Sequence, residues 1–215
     1  VEDILKTRIS TRAFLDKPVS EEQVREILDI ARWSPSGGNL QPWTVHVVMG
    51  GGLERGNVPP AAEFNVFFDP EAARTVVEAG LRPVLVPLDA THRAPVTFAM
   101  IDELAASGEG VAPEAAALLR SYHANVGTDR PGAYVHDAMA LAVLIWPELF
   151  ERRPARLSVM TDGGAERGRT VADFASGEPN AEVVVDLDAG VFLERLFERL
   201  RAYPRPSPAA GTIPA

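Results

Sequence analysis

The chain has 215 residues, of which 46% are apolar and 24% charged, the ordinary mixture of a globular protein with one large or two small domains. Its formal net charge of −9 argues against a nucleic-acid binder or an acidic-membrane binder, because phosphate attracts clustered Lys and Arg. Cysteine is absent, which excludes disulfides and thiolate sites. There is no apolar signal core and no apolar run of about 18 residues, so we expect a cytoplasmic protein.

The first predicted element is a helix over 20–33. It begins with a capping box formed by Ser20 and Gln23, presents one apolar face, and ends before Pro35. A short buried strand is predicted at 45–49, where three glycines follow it.

From there strands and helices alternate. Asp69 and Pro70 are typical of a helix start, and Gly80 is typical of the position just after a helix end. Strands are predicted at 83–88, 156–160, 170–174 and 182–187. Helices are predicted at about 95–107, 113–124 and 136–146 and after Asp188. Residues 88–92 are assigned to a strand end and loop. The alternation predicts an α/β fold with a mostly parallel sheet layered with helices. The proline-rich tail at 204–215 is predicted to be disordered.

Two groups of polar residues are candidates for a site. Asn57, Glu63 and Asn65 lie within nine residues, either as turn-forming and helix-capping residues or as a site that bonds hydroxyl groups. His136 and Asp137 open an apolar helix, where an Asp is commonly an N-cap and an adjacent His a surface or capping residue. Neither group decides between these interpretations by itself.

A series of motifs in fixed order resolves the choice by resemblance. The run MGGGLERGNVPPAAEFNVFFDPEAAR at 49–74 is followed by LDATH at 88–92, VHDA at 135–138, WPELF at 146–150 and TDGG at 161–164. Over about 47–203 the chain resembles the C-terminal part of the inosine/uridine-preferring nucleoside hydrolases. This resemblance implies a nucleoside-hydrolase-like α/β fold, truncated at its N-terminal side, and hydrolysis of the N-ribosidic bond.

The resemblance also implies residue roles. Residues matching Asn57 and Glu63 lie near the ribose 5′-hydroxyl, the one matching Asn65 lies near the ring hydroxyls, and Met49 packs against the sugar. The histidine matching His136 helps to protonate the departing base, and the aspartate matching Asp137 binds Ca²⁺.

The chain departs from this family in its acidic residues. The family pattern D-x-D-x-x-x-D-D is not present, and Asp3, Asp16 and Asp29 are isolated. Because Ca²⁺ takes about 6–8 oxygen ligands, we expect an incomplete metal site and impaired hydrolysis.

Residues 1–46 resemble a different family. Arg8, Ser10 and Arg12 alternate, so an extended segment would present all three on one side, either as a solvated basic strand or as a phosphate-binding set. With the loop that contains Ser36, Gly38 and Asn39, they resemble the N-terminal segment of FMN-dependent nitroreductases, which implies contacts with FMN. A segment of this size cannot enclose a flavin by itself.

Three hypotheses therefore remain for the function. They are a nucleoside-hydrolase-type protein acting on a nucleoside or another ribose-containing molecule, an FMN-dependent oxidoreductase, and a non-catalytic fusion of two partial genes. We favour the first, and an uncovered sheet edge would favour a homo-oligomer.

Overall fold

The computed structural model describes residues 47–58, 61–126 and 131–205. The chain divides into Val1–Thr44 and Val45–Ala215, and every described residue belongs to the second unit. The helix predicted at 20–33 and residues 206–215 lie outside the described residues, as do the residues proposed to contact FMN, which are Arg8, Ser10, Arg12, Ser36, Gly38 and Asn39.

Five strands and seven helices make up the described fold. The strands are β1 Val47–Met49, β2 Val84–Val86, β3 Phe150–Val159, β4 Thr170–Asp173 and β5 Ala181–Leu187. The helices are α1 Phe64–Phe68, α2 Pro70–Glu78, α3 Leu88–Thr91, α4 Phe98–Ala106, α5 Ala112–Val126, α6 His136–Ile145 and α7 Ala189–Ala202, with a 3-10 turn at Pro147–Leu149. None of the described helices is long and apolar enough to cross a lipid bilayer.

The sheet has the order β1-β2-β5-β3-β4. Strands β1, β2 and β5 are parallel, with Val48 opposite Leu85 and Leu85 opposite Val183. Strand β3 runs antiparallel to both β5 and β4. The α/β class is confirmed, and the sheet is mixed because β3 runs opposite to both of its neighbours.

Alternation along the strands divides the core into two layers. Val86 points into the larger cluster with Ile101, Met139 and Phe192, whereas the adjacent Leu85 points into the cluster on the opposite face. Successive strand side chains point to opposite faces. The sheet is therefore covered by apolar side chains on both faces.

The structure confirms the caps predicted at Asp69 and Asp188 and the helix end predicted at Gly80. The Asp69 carboxylate accepts a hydrogen bond from Ala72 N at 2.9 Å, Pro70 is the first residue of α2, and Gly80 follows the helix with φ +74°. Asp188 caps α7 by accepting from Val191 N at 3.1 Å. These caps could be predicted from the sequence because each depends on the few residues that follow it.

Two element predictions were wrong, and a third was right in type but not in burial. Residues 88–91 form α3 rather than a strand end and loop, because Pro87 O accepts from Ala90 N and Thr91 N and starts a helical turn. Strand β3 begins at Phe150 instead of 156, since its first half pairs with β5. The strand predicted as buried at 45–49 is described only from Val47, and its three residues are half-buried.

The cap of α7 provides a stability test. We expect Asp188→Ala to lower the free energy of unfolding by about 1 kcal/mol, because the N–H of Val191 loses its acceptor. Urea denaturation measures this change. Glu194→Ala, at an exposed position of the same helix, is the control and should stay within about 0.5 kcal/mol of the parent. Equal losses in both variants would contradict a capping role.

Candidate functional site

The candidate site lies at the carboxyl ends of β1 and β2. Both strands are parallel, so the segments that follow them emerge at the same edge of the sheet, where α/β proteins commonly bind ligands. Leu88 N, at the start of α3, donates to Gly51 O at 2.9 Å. Gly50 N donates to Val86 O at 3.3 Å. The two segments are therefore joined by backbone hydrogen bonds.

Glu63 is buried in this region, with 2% of its surface exposed. It is the N-cap of α1, where Oε1 accepts from Asn65 N at 3.0 Å and Oε2 from Val66 N at 3.3 Å. Oε2 also accepts from Gly51 N at 3.1 Å. Burial of a carboxylate is tolerated when charge-assisted hydrogen bonds replace water. Glu63 thus ties the start of α1 to the loop after β1.

The two asparagines extend this unit. Asn57 Oδ1 accepts from Phe64 N at 2.8 Å, and Asn65 Nδ2 donates to Met49 Sδ at 3.3 Å. Both asparagines are exposed, whereas Met49 is half-buried. The structure brings Met49, Asn57, Glu63 and Asn65 into one hydrogen-bonded unit. It bears out the capping interpretation for Glu63, while contact with a sugar stays a prediction.

Gly51 is a glycine for two reasons. Its φ of +80° lies in the left-handed region, which disfavours other residues. A Cβ there would also lie 3.1 Å from Oγ1 of the buried Thr170. This close approach lets Gly51 reach Glu63 with its N–H and Leu88 with its carbonyl.

His136 and Asp137 are the first two residues of α6, which packs against β1. The N-cap is Val135, and no side chain caps this helix, so the interpretation of Asp137 as an N-cap was wrong. Asp137 is exposed. His136 Nδ1 lies 2.7 Å from Thr91 Oγ1, at the end of α3. Hydrogen bonds therefore lead from Glu63 through Gly51 and Leu88 into the helix that contacts His136.

Two aromatic side chains beside His136 were not predicted from the sequence. The His92 ring lies 4.4 Å from the Tyr134 ring and 5.6 Å from the His136 ring, centroid to centroid. The Tyr134 and His136 rings are 5.7 Å apart. His92 was missed because it lies more than 40 positions from Tyr134 and His136 and meets them only in the folded chain. Tyr134 is two positions from His136 but belongs to no motif that we singled out.

Asp89 is a third residue near the candidate site that was not predicted. Its carboxylate accepts from Leu53 N at 2.7 Å and from Glu54 N at 3.0 Å. It thereby fixes the loop between Gly52 and Asn57 against α3. The only sequence signal was its place in the LDATH segment, to which we assigned no role.

The loop between β3 and β4 holds α1 and α2 in place from the other side. Arg167 Nη2 donates to Glu71 Oε2 at 2.8 Å, and this hydrogen bond lowers the pKa of the exposed Glu71 carboxyl. Gly168 has a φ of +81°, and a Cβ there would lie 2.9 Å from Phe67 Cα. The loop backbone therefore packs directly on α1.

A Ca²⁺ ion does not fit the residues that the structure describes. Within 47–58, 61–126 and 131–205, no three His, Asp or Glu side chains are grouped as metal ligands. Asp137 alone cannot provide the about 6–8 oxygens that Ca²⁺ takes. No chemical step is therefore assigned to a metal here.

An apolar cavity of about 100 Å³ lies beside α2, against the sheet. Val48, Val66, Val77 and Leu85 are among the residues that line it. None of the candidate site residues contributes to its wall. The candidate site is therefore the polar edge of the sheet and not this cavity.

Comparison with known proteins agrees with this geometry. The family model of the inosine-uridine preferring nucleoside hydrolases matches residues 44–194. The chain belongs to this family. The resemblance predicted over about 47–203 is confirmed for most of that range, whereas the nitroreductase-like resemblance of 1–46 stays a prediction.

Individual relatives of the nucleoside hydrolase family support the assignment. The pyrimidine-specific ribonucleoside hydrolase RihA of Enterobacter sp. (strain 638) is 40% identical over 163 residues, or 73% of this chain and 52% of the relative. The structure of a purine-preferring ribonucleoside hydrolase from Gardnerella vaginalis matches with a TM-score of 0.63 and 26% identity, over 72% of this chain and 51% of that one. A plant nucleoside hydrolase matches with a TM-score of 0.65 and 26% identity, over 73% and 53% of the two chains. The chain spans about half the length of the relatives it matches.

The buried carboxylate of Glu63 is open to a direct test. We expect Glu63→Gln to lower the free energy of unfolding by about 2 kcal/mol, because the new NH₂ group replaces an oxygen that accepts from backbone N–H groups. Urea denaturation measures the change. Glu54→Gln, at an exposed position of the same loop, is the matched control and should be nearly neutral. If Glu63→Gln were as stable as this control, Glu63 would not hold the loop.

Proposed function

We propose that this chain carries the ribose-binding and leaving-group side of a nucleoside hydrolase site. The observation that supports the proposal most is the single hydrogen-bonded unit of Met49, Asn57, Glu63 and Asn65 at the carboxyl ends of parallel strands. The substrate class is a nucleoside, in line with the names of the pyrimidine-specific and purine-preferring relatives.

The chemistry requires that the ribose be held while it becomes oxocarbenium-like and that the base depart with a proton. The exposed amides of Asn57 and Asn65 can bond ribose hydroxyls, and the Met49 thioether gives the sugar an apolar contact. The His136 imidazole is the group proposed to protonate the departing base. Asn65 and Met49 already touch, so the amide is oriented before a ligand arrives.

Activation of the attacking water is the remaining requirement. A carboxylate beside a bound cation would activate the water. Among the described residues, however, no three acidic or histidine side chains lie close enough together to hold a cation. Asp137 is the remaining candidate from the family resemblance, and it is exposed. We therefore propose that this chain by itself binds nucleosides but hydrolyses them poorly.

Asn65 provides the binding test. Calorimetric titration with inosine or uridine should show roughly 10-fold weaker binding for Asn65→Ala, the equivalent of about 1.4 kcal/mol, because one hydrogen bond to a ring hydroxyl is lost. Binding of the 2′,3′-dideoxy analogue should be the same in Asn65→Ala and in the parent, since the hydroxyls are absent. Glu194→Ala on α7 is the control variant. Equal affinity of Asn65→Ala and the parent for the ribonucleoside would contradict the assigned role.

Turnover is a separate measurement. Release of reducing sugar from inosine or uridine should be well below the usual enzyme range of about 1–10³ per second, because the described acidic groups do not assemble to activate water. A turnover number inside that range would show that this chain has a complete site and that the proposed impairment is wrong.

A further inference from the structure

Thr91 is buried with 0% exposure at the end of α3, and its hydroxyl has two close polar neighbours. Oγ1 lies 2.7 Å from His136 Nδ1 and 3.3 Å from Leu88 O. Leu88 O also accepts from His92 N at 2.9 Å, which leaves a second lone pair for the threonine. We infer that Thr91 is a positioning residue that holds His136 in the tautomer protonated at Nδ1.

The number of protons decides between the two tautomers. A hydroxyl has one proton to donate, and Leu88 O can only accept. If Nδ1 lacks a proton, the single hydroxyl proton can be donated either to Nδ1 or to Leu88 O. The other of these two contacts is then not a hydrogen bond. If Nδ1 carries the proton, Nδ1–H donates to Oγ1 and Oγ1–H donates to Leu88 O. Only this second arrangement makes both observed contacts hydrogen bonds.

The environment favours the arrangement with more hydrogen bonds. Thr91 is closed off from water, so water cannot replace a contact that the hydroxyl fails to make. The rings of His92 and Tyr134, 5.6 and 5.7 Å from the His136 ring, pack beside the imidazole. Packing and the Thr91 contact together limit the orientation of the ring.

The consequence concerns the other ring nitrogen. The hydrogen bond that one imidazole nitrogen makes determines which nitrogen carries the proton. With Nδ1–H donated to Thr91, Nε2 carries the lone pair of the neutral ring. Nε2 must therefore gain a proton, which makes the ring an imidazolium, before it can protonate a departing base. This inference rests on the proposed function for its meaning in catalysis, while the tautomer itself is a property of the folded chain alone.

The test is a nitrogen NMR measurement on the full chain. Protein labelled with ¹⁵N-histidine is measured at a pH of about 8, above the ordinary imidazole pKa of about 6.5. His136→Gln identifies the His136 signal among the four histidines. We expect the parent and Thr91→Ser to show a proton on Nδ1. The isosteric Thr91→Val, which lacks the hydroxyl, should lose that state and show protonated Nε2 or a mixture.

Two results would overturn the inference. They are a protonated Nε2 in the parent, or a His136 signal that is unchanged in Thr91→Val. If Thr91→Val did not fold, the tautomer of the parent would still decide. The NMR measurement needs no substrate. A failure to bind nucleosides would contradict the proposed function, and the tautomer of His136 could still be determined.

Residual hydrolysis, where it can be measured, gives a second readout. Thr91→Val should lower kcat by roughly 10-fold or more with little change in KM. The upper limit is the whole contribution of acid–base catalysis, which is about 10²–10⁴-fold. Thr91→Ser should restore most of the loss, because it keeps the hydroxyl. An equal kcat for Thr91→Val and the parent would contradict a positioning role.

Discussion

The candidate site depends on one buried carboxylate. Glu63 accepts three backbone hydrogen bonds, from Gly51, Asn65 and Val66, while only 2% of it is exposed. An ionised group removed from water is costly unless such bonds replace its hydration, so the backbone around it has little freedom. Gly51 in turn accepts from Leu88 N, so the geometry that Glu63 sets extends to both strand ends.

Capping and the proposed ligand contacts use different atoms of the same unit. The bonds of Glu63 are made to backbone N–H groups, and Asn57 caps through its carbonyl oxygen, but the Asn57 and Asn65 side chains remain exposed. A buried acid can thus fix the backbone while neighbouring amides face a ligand. The two interpretations of this segment in the sequence are therefore compatible, because the first provides the rigidity that the second needs.

Local chemistry was predictable from the sequence, whereas contacts between distant segments were not. Asp69 and Asp188 were identified as caps because a cap depends on its next three residues. The early half of β3 was missed because its residues Glu151–Pro154 are exposed and include three charges and a proline, which are unusual in strands. In the site, Asn57, Glu63 and Asn65 were found together because they are close in sequence. Thr91 contacts His136 only because α3 packs against α6, and no local sequence pattern predicts that contact.

The groups proposed to recognise a nucleoside come from a small part of the fold. The amides proposed to bind hydroxyls come from the loop after β1 and from α1, and the imidazole comes from the start of α6. Among the described strands, β1 is at the edge of the sheet, so these groups line the last strand of a five-stranded layer. Three aspartates of the described region have structural roles instead, as Asp69 and Asp188 cap helices and Asp89 fixes a loop. These three carboxylates therefore stabilise the fold and are not part of the group proposed to contact a nucleoside.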